Sequence, residues 1–185
     1  LTIYQYFSAF YQHWREPLEA SFPYLEKGLG YGQEGINALS AGYCALLGAA
    51  NKLAKGVTLD ALEHDCELGL KFLQRSQQPN TEAMLRFGVL HPVLALQGKT
   101  VAPLSFDTAD ASASGFFKGD FQSPSIHLAL YSTAMIRQAY LLDDAALWQR
   151  FAANLPVVGM CLPDSPSMVD ATFDYVPQPR HRVVD

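Results

Sequence analysis

Apolar residues recur along this chain with the 3.6-residue period of an amphipathic helix, and alternating apolar and polar residues are almost absent. A period of 3.6 places side chains on one face of a helix, whereas a strand needs a period of two. The clearest stripe consists of Leu59, Leu62, Cys66, Leu70 and Leu73. The predicted fold class is therefore all-α.

Helix boundaries are predicted from residues that start or stop helices. Glycine favours the left-handed turn after a helix, so Gly56 and Gly98 are predicted to end helices, and proline is tolerated only in the first turn. Pro92 falls inside a predicted helix, where it must cause a kink or break a turn because proline donates no hydrogen bond. Thr58 or Asp60 is expected to cap a helix with its side chain. The predicted helices cover about 3–14, 17–27, 34–55, 59–73, 80–98, 124–142, 143–155 and 165–173.

Residues 99–122 differ from the rest, because they are rich in Ser, Asp and Gly and lack a helical stripe. They are predicted to form an irregular connector inside a single helical domain of residues 1–176, followed by an irregular tail at 177–185. Helices joined by short turns are expected to stack as antiparallel pairs. No clean repeat period is present, so the predicted architecture is a degenerate, tetratricopeptide-repeat-like (TPR-like) α-solenoid.

Charge and cysteine usage exclude several function classes. Charged residues make up only 17% and the net charge is −5, which argues against a nucleic-acid partner and against a disordered chain. The three cysteines, Cys44, Cys66 and Cys161, form no CxxC pair and favour a reducing cytoplasm over a disulfide framework. The longest weakly polar stretch, residues 36–54, contains Asn37, Ser40, Asn51 and Lys52, so no membrane span or anchor is expected.

Two groups of residues contain the residue types of known binding or catalytic sites, but their neighbours in the sequence do not fit such sites. Gly30, Gly32 and Gly35 match GxGxxG, but no strand precedes them, so they are predicted to form a glycine-rich turn between helices. His64, Asp65 and Cys66 are consecutive, and consecutive helical residues point about 100° apart. They therefore cannot converge on a metal, and we expect a buried Cys66 thiol and a surface His64 imidazole.

No catalytic, metal-binding or cofactor-binding residue is assigned, and no cofactor is expected. The remaining histidines are scattered singly, without the spacing of a metal site. They are His13, His91, His127 and His181. The tail cations Arg180, His181 and Arg182 form too short a cluster for a nucleic-acid patch.

Aromatic residues are concentrated in two places. The first predicted helix contains Tyr4, Tyr6, Phe7, Phe10, Tyr11 and Trp14, and the connector contains Phe116, Phe117 and Phe121. They could form a binding surface, since exposed aromatic side chains anchor protein partners. Alternatively, they pin the connector to the helical stack, which is the favoured interpretation.

Five short stretches, taken in order, are similar to one family. They are His13-Trp-Arg-Glu-Pro-Leu18, Ala41-Gly-Tyr-Cys44, Gly56-Val-Thr-Leu59, Leu94-Ala-Leu-Gln-Gly98 and the Leu-Asp-Asp turn at 142–144. The series resembles the helical, TPR-like region of very large bacterial signalling proteins. These proteins join a serine/threonine-kinase-like domain, an AAA-type ATPase, this region, a GAF domain and a sensor histidine kinase. The resemblance spans about Trp14 to Phe173 and stops after Asp174, where Pro177 and Pro179 prevent another helix.

The resemblance implies a non-catalytic helical module that couples domains of a cytoplasmic signal-transduction protein. Its partners would be neighbouring domains of the same polypeptide or other signalling proteins. The chain begins at Leu1 rather than Met, so we expect it to be part of a longer protein. Apolar ends of the helical stack are then expected to be exposed and to cause self-association.

Two alternatives to the coupling module are open. One is a stand-alone, TPR-like adaptor that binds peptides in a groove. The other is a small helical enzyme whose pocket includes His64, Cys66 or His127.

Overall fold

Helices supply all the regular secondary structure of the residues that a computed structural model describes, which are 2–116 and 126–152. The all-α prediction is confirmed for these residues, in which no strand is present. The α-helices are α1 (Thr2–Tyr6), α2 (Phe22–Gln33), α3 (Ala38–Lys55), α4 (Leu59–Arg75), α5 (Pro79–Leu85), α6 (His91–Leu96), α7 (Ala113–Phe116), α8 (Ile126–Leu141) and α9 (Ala145–Ala152).

The helix predicted over 3–14 changes its hydrogen-bonding pattern along its length. Helix α1 continues directly into a π-helical turn at Phe7–Tyr11 and a 3₁₀ turn at Gln12–Trp14. A further 3₁₀ turn at Leu18–Ser21 leads into α2. We refer to residues 2–14 as the N-terminal helical segment.

Helix α2 extends six residues past its predicted end at Lys27, through three glycines to Gln33. Gly30 and Gly32 lie inside this helix, so their predicted position in an interhelical turn is wrong. Only Gly35, with φ +88°, lies in the turn itself. The packing of α3 explains the extension, because a Cβ on Gly32 would lie 1.9 Å from Cβ of Ala41. Tertiary packing thus overrides the low helix propensity of glycine.

Helix α3 begins at Ala38, four residues later than predicted, because Asn37 adopts a left-handed conformation with φ 59°. The Asn37 side chain accepts a hydrogen bond from the backbone N–H of Ser40 at 3.1 Å and caps the helix. Gly56 ends the helix in the left-handed conformation, as predicted.

Helix α4 confirms the predicted apolar stripe, because Leu62, Cys66 and Leu73 are fully buried. Its predicted side-chain cap is wrong. Thr58 occupies the capping position but bonds only through its carbonyl, which accepts from the N–H of Leu62 at 3.1 Å. The Asp60 carboxylate instead accepts a hydrogen bond from the Gln97 side chain at 2.9 Å, so a tertiary contact replaces the cap.

The helical run from α5 to α6 contains the interruption expected at Pro92. A π-helical turn at Arg86–Leu90 precedes the proline, and the N–H of His91 donates to the carbonyl of Arg86. The helix therefore continues through Pro92 with a locally wider turn instead of ending. Gly98, with φ 72°, follows the helix as predicted.

Consecutive helices pack against one another. Helix α3 packs on both α2 and α4, α4 packs on the α5–α6 run, and α8 packs on that run and on α9. The core between α3, α4 and the α5–α6 run is built mainly from leucines. A second cluster joins α8 to the start of the connector through Phe106, Tyr131 and Met135.

The C-terminal predictions are tested only in part. Helix α8 ends at Leu141 and α9 starts at Ala145, close to the predicted boundary, and the Asp144 carboxylate accepts from the N–H of Leu147 at 2.8 Å. The connector is irregular up to residue 112 and then forms the four-residue helix α7. The predicted start of the helix at 124–142, the helix predicted at 165–173 and the tail at 177–185 lie outside the described residues.

The contact between α2 and α3 yields a testable prediction. Gly32→Ala should lower the free energy of unfolding by about 1–3 kcal/mol, because its methyl group overlaps Ala41. Gly30→Ala is the matched control in the same helix, where a Cβ meets nothing within 4 Å. It should be neutral or raise stability by about 0.5–1 kcal/mol. Urea denaturation measures both variants, and equal effects would contradict the close packing.

Candidate functional site

The N-terminal helical segment turns its polar side towards the rest of the protein. Its fully buried side chains are the polar Ser8 and Gln12. The Ser8 hydroxyl donates to Oε1 of Gln12 at 3.4 Å, and Nε2 of Gln12 donates to Oε2 of Glu16 at 2.8 Å. At the start of the segment, the hydroxyls of Thr2 and Ser40 are 3.1 Å apart. The Thr2 bond reaches α3, whereas the bonds of Ser8 and Gln12 lie within residues 8–16.

The opposite side of the segment exposes large apolar side chains at a spacing of three to five residues. The exposed fractions are 80% for Ile3, 51% for Tyr6, 67% for Tyr11 and 60% for Trp14, and Phe7 is also exposed. Tyr24 of α2 extends this face. We define the N-terminal aromatic surface as Ile3, Tyr6, Phe7, Tyr11, Trp14 and Tyr24. An amphipathic helix normally buries such residues, so the usual arrangement is reversed here.

Contacts between rings hold the N-terminal aromatic surface in place. The Tyr6 ring stacks on Phe10 with a centroid distance of 5.7 Å, and the Phe7 ring meets Tyr24 edge-on at the same distance. Behind them, Tyr4 packs against Tyr24 and Tyr31 at 6.1 and 6.2 Å. Rings that are already fixed lose little conformational entropy when a partner covers them.

The N-terminal helical segment carries no Asp, Glu, Lys or Arg. Arg15 and Glu16 follow directly after it, at its edge. Charged residues are depleted at the centres of protein interfaces and aromatic residues are enriched there. The composition of this surface is therefore that of an interface centre.

A shallow groove is present between α5 and the connector. Its cavity volume is about 290 Å³, and its walls include Glu82, Arg86, Phe87 and Phe116. The carboxylate of Glu82 pairs with the Arg86 guanidinium at 2.8 Å, and the rings of Phe87 and Phe116 are 4.8 Å apart. Phe116 thus packs the connector against the helical stack, as the favoured interpretation predicted for the connector aromatics. Phe117 and Phe121 lie outside the described residues.

The structure does not bring together the residues of the enzyme alternative. Cys66 is fully buried in the core, whereas His64 is exposed on the same helix, as the sequence predicted. His127 lies on α8, where its Nε2–H donates to the carbonyl of Asn80 at 3.1 Å. Burial raises the pKa of Cys66 to about 12, with the charges of Asp65 and Glu63 adding to the effect, and burial raises the pKa of Cys44 to about 11. Both thiols are therefore protonated near neutral pH, and neither is activated as a nucleophile.

The structure describes no cluster of three or more His, Cys, Asp or Glu side chains that could hold a metal ion within residues 2–116 and 126–152. His13 is part of the 3₁₀ turn at Gln12–Trp14, and His181 lies outside the described residues. In the same ranges, no helix combines the length and apolar character needed to cross a bilayer.

His91 has a structural role that its isolated position in the sequence did not reveal. Its imidazole is buried, its Nδ1–H donates to the carbonyl of Phe106, and its ring meets Phe87 edge-on at 5.0 Å. The histidine thereby ties the connector to the α5–α6 run. Burial lowers the pKa of His91, and the positive charge of Arg86 lowers it further, although the Phe106 bond and Asp107 act in the opposite direction.

Comparison with known proteins finds no matching protein-family model, no matching curated protein and no matching solved structure. The resemblance to the helical region of multidomain signalling proteins therefore stays a prediction.

The buried His91 predicts a specific pH dependence of stability. Its folded pKa lies below the ordinary value of 6.5, so the unfolded chain binds more protons as the pH falls. Its contribution is present above about pH 6.5 and is lost as the pH falls towards the folded pKa. Urea denaturation between about pH 7.5 and 5 should show a smaller loss for His91→Gln than for the wild type. Identical curves for the wild type and His91→Gln would contradict this role.

The buried thiols predict slow alkylation. At about pH 7.5, iodoacetamide should modify Cys44 and Cys66 at least about 100-fold more slowly in the folded protein than in urea, because both are inaccessible and protonated. Mass spectrometry of the digested protein measures each site separately. Rapid modification of Cys66 in the folded protein would instead support the enzyme alternative.

Proposed function

We propose that this chain is a non-catalytic, degenerate TPR-like module of a cytoplasmic multidomain signal-transduction protein. In that protein it couples an upstream nucleotide-binding domain to downstream sensor and kinase domains. The observation that carries the proposal is the N-terminal aromatic surface, a large apolar face fixed on a packed helical body. A face of this kind is typical of a protein-interaction site.

The packing order supports a coupling role. From α1 to the α5–α6 run each helix packs on the next, and α8 packs on that run and on α9, so a displacement at one end changes contacts through a series of packed helices. Repeat proteins are built in this way and present extended surfaces to their partners. The partners are neighbouring domains of the same polypeptide or other signalling proteins.

The same observations weigh against the two alternatives. An enzyme that uses Cys66 requires the thiol to meet a base and a substrate, and Cys66 is fully buried. A peptide-binding adaptor requires a groove with polar groups to fix the peptide backbone. The groove beside Phe116 is small for that purpose, and its ion pair between Glu82 and Arg86 is already formed.

Reading the genomic sequence on both sides of the region that encodes this chain tests the proposal directly. We expect a phosphate-binding loop in an ATPase domain upstream, and a GAF or histidine-kinase pattern downstream, in the same reading frame. An open reading frame that contains neither would contradict the proposal. Hydrolysis of ATP by the purified chain, above that of a buffer control, would also contradict it.

A variant of the longer protein tests the role of the N-terminal aromatic surface. Tyr11→Glu places a charge in its centre and should change kinase output at least about tenfold. Leu68→Glu is the matched control, because Leu68 is a half-exposed apolar residue of α4 outside the surface. Equal output from the wild type and Tyr11→Glu would show that the surface is not used for coupling.

A further inference from the structure

We infer that the N-terminal aromatic surface binds a second copy of this chain, so that two copies associate through the same face around a two-fold axis. The inference rests on the proposed function in one respect, because it takes this face to be an interaction surface. It adds the identity of the partner and the symmetry of the complex.

The shape of the surface suits two-fold pairing. Most of its residues lie on one short helical segment, so two copies can cross antiparallel with the axis near Ser8. Ile3 of one copy then lies near Trp14 of the other, and Tyr6 lies near Phe10. An isologous interface of this kind uses the same patch twice and closes after two subunits.

The size of the surface matches what a stable dimer requires. A fully exposed large apolar side chain offers about 150–250 Å², so the exposed fractions of these six residues correspond to roughly 700 Å². A standard interface buries about 800 Å² on each partner. Neighbouring polar atoms at the edge, including the charged groups of Arg15 and Glu16, supply the remainder.

The charge distribution favours a second copy over a charged partner. The chain has a net charge of −5, so two copies repel each other in most orientations. Residues 2–14 contain no Asp, Glu, Lys or Arg, so this face meets its own copy without opposing like charges. The charges nearest to this face are at its edge, where Arg15 and Glu16 follow the segment and the Lys27 ammonium lies 5.8 Å from the centre of the Tyr4 ring.

The same features argue against a membrane surface as the occupant. Helices that lie on membranes combine an apolar face with Lys and Arg on the polar face. Here the polar side chains Ser8 and Gln12 are buried, and residues 2–14 contain no Lys or Arg; the one cation placed over a ring of the segment is Lys27, at 5.8 Å from the centre of Tyr4 among the described residues.

Analytical ultracentrifugation of the full 185-residue chain tests the inference. We expect the wild type to be a dimer with a dissociation constant in the micromolar range or tighter. Tyr6→Lys should raise that constant at least about 100-fold, because antiparallel pairing brings the two lysines close together. Tyr6→Glu should do the same. An equimolar mixture of the two variants should recover the dimer to within about tenfold of the wild type, because the lysine and the glutamate lie about one helical turn apart across the axis and can pair.

Leu68→Lys is the matched control, with a similarly exposed apolar residue on α4 replaced by the same cation, and it should remain a dimer. Circular dichroism establishes that each variant is folded. A wild type that is monomeric at about 200 μM would overturn the inference. So would a dimer that Tyr6→Lys leaves intact, or a mixture of Tyr6→Lys and Tyr6→Glu that stays monomeric.

A vesicle assay tests whether the surface binds a membrane instead of a second copy. The chain should not co-sediment with phosphatidylcholine vesicles that contain phosphatidylserine. If the wild type is monomeric and binds these vesicles, and Tyr6→Lys abolishes the binding, the inference is overturned. Failure of the proposed function is distinguishable from these outcomes. Flanking sequence without signalling domains would remove the coupling role and leave the dimer measurement unchanged.

Discussion

The close approach of α2 and α3 is the constraint on which the rest of the arrangement depends. Gly32 faces Ala41 with no room for a side chain, so the two helices approach closely at this point. On its other side, α3 packs against α4, where Gly69 lies close to Leu85 and Ala45. Small residues thus determine how three consecutive helices stack. The N-terminal helical segment contacts both α2 and α3, so its position depends on the same packing.

The two sides of the N-terminal helical segment, which packs on these helices, carry different kinds of side chain. Its inner side buries the polar side chains of Ser8 and Gln12, and it contacts the body through hydrogen bonds of Thr2 with Ser40 and Asn37 and through the Tyr4 ring. Its outer side presents stacked rings. A segment that served only to complete the core would have the opposite orientation, because burying rings stabilises a fold more than burying hydroxyl and amide groups. The orientation therefore supports the proposal that this side is an interaction surface.

Local patterns predicted the parts of the fold that depend on local chemistry. The stripe of α4 and the glycine after α3 were predicted because periodicity and a left-handed end are legible in short stretches. The extension of α2 was not, since Gly32 is favoured there by Ala41, nine residues away in another helix. The same holds for His91, whose partner Phe106 lies across a connector. The aromatic composition of the candidate site was visible in the sequence, but periodicity alone does not tell which side of a helix faces the body.

The interactions made by the two sides of the N-terminal helical segment depend differently on temperature. Association of apolar rings weakens on cooling, because the hydrophobic effect is driven by entropy near room temperature. The hydrogen bonds of Thr2 with Ser40 and Asn37, which attach the start of the segment to α3, do not share this dependence. Cooling therefore weakens the association of the outer rings more than this attachment. A complex joined through this face would therefore dissociate on cooling at a higher temperature than the one at which its subunits unfold.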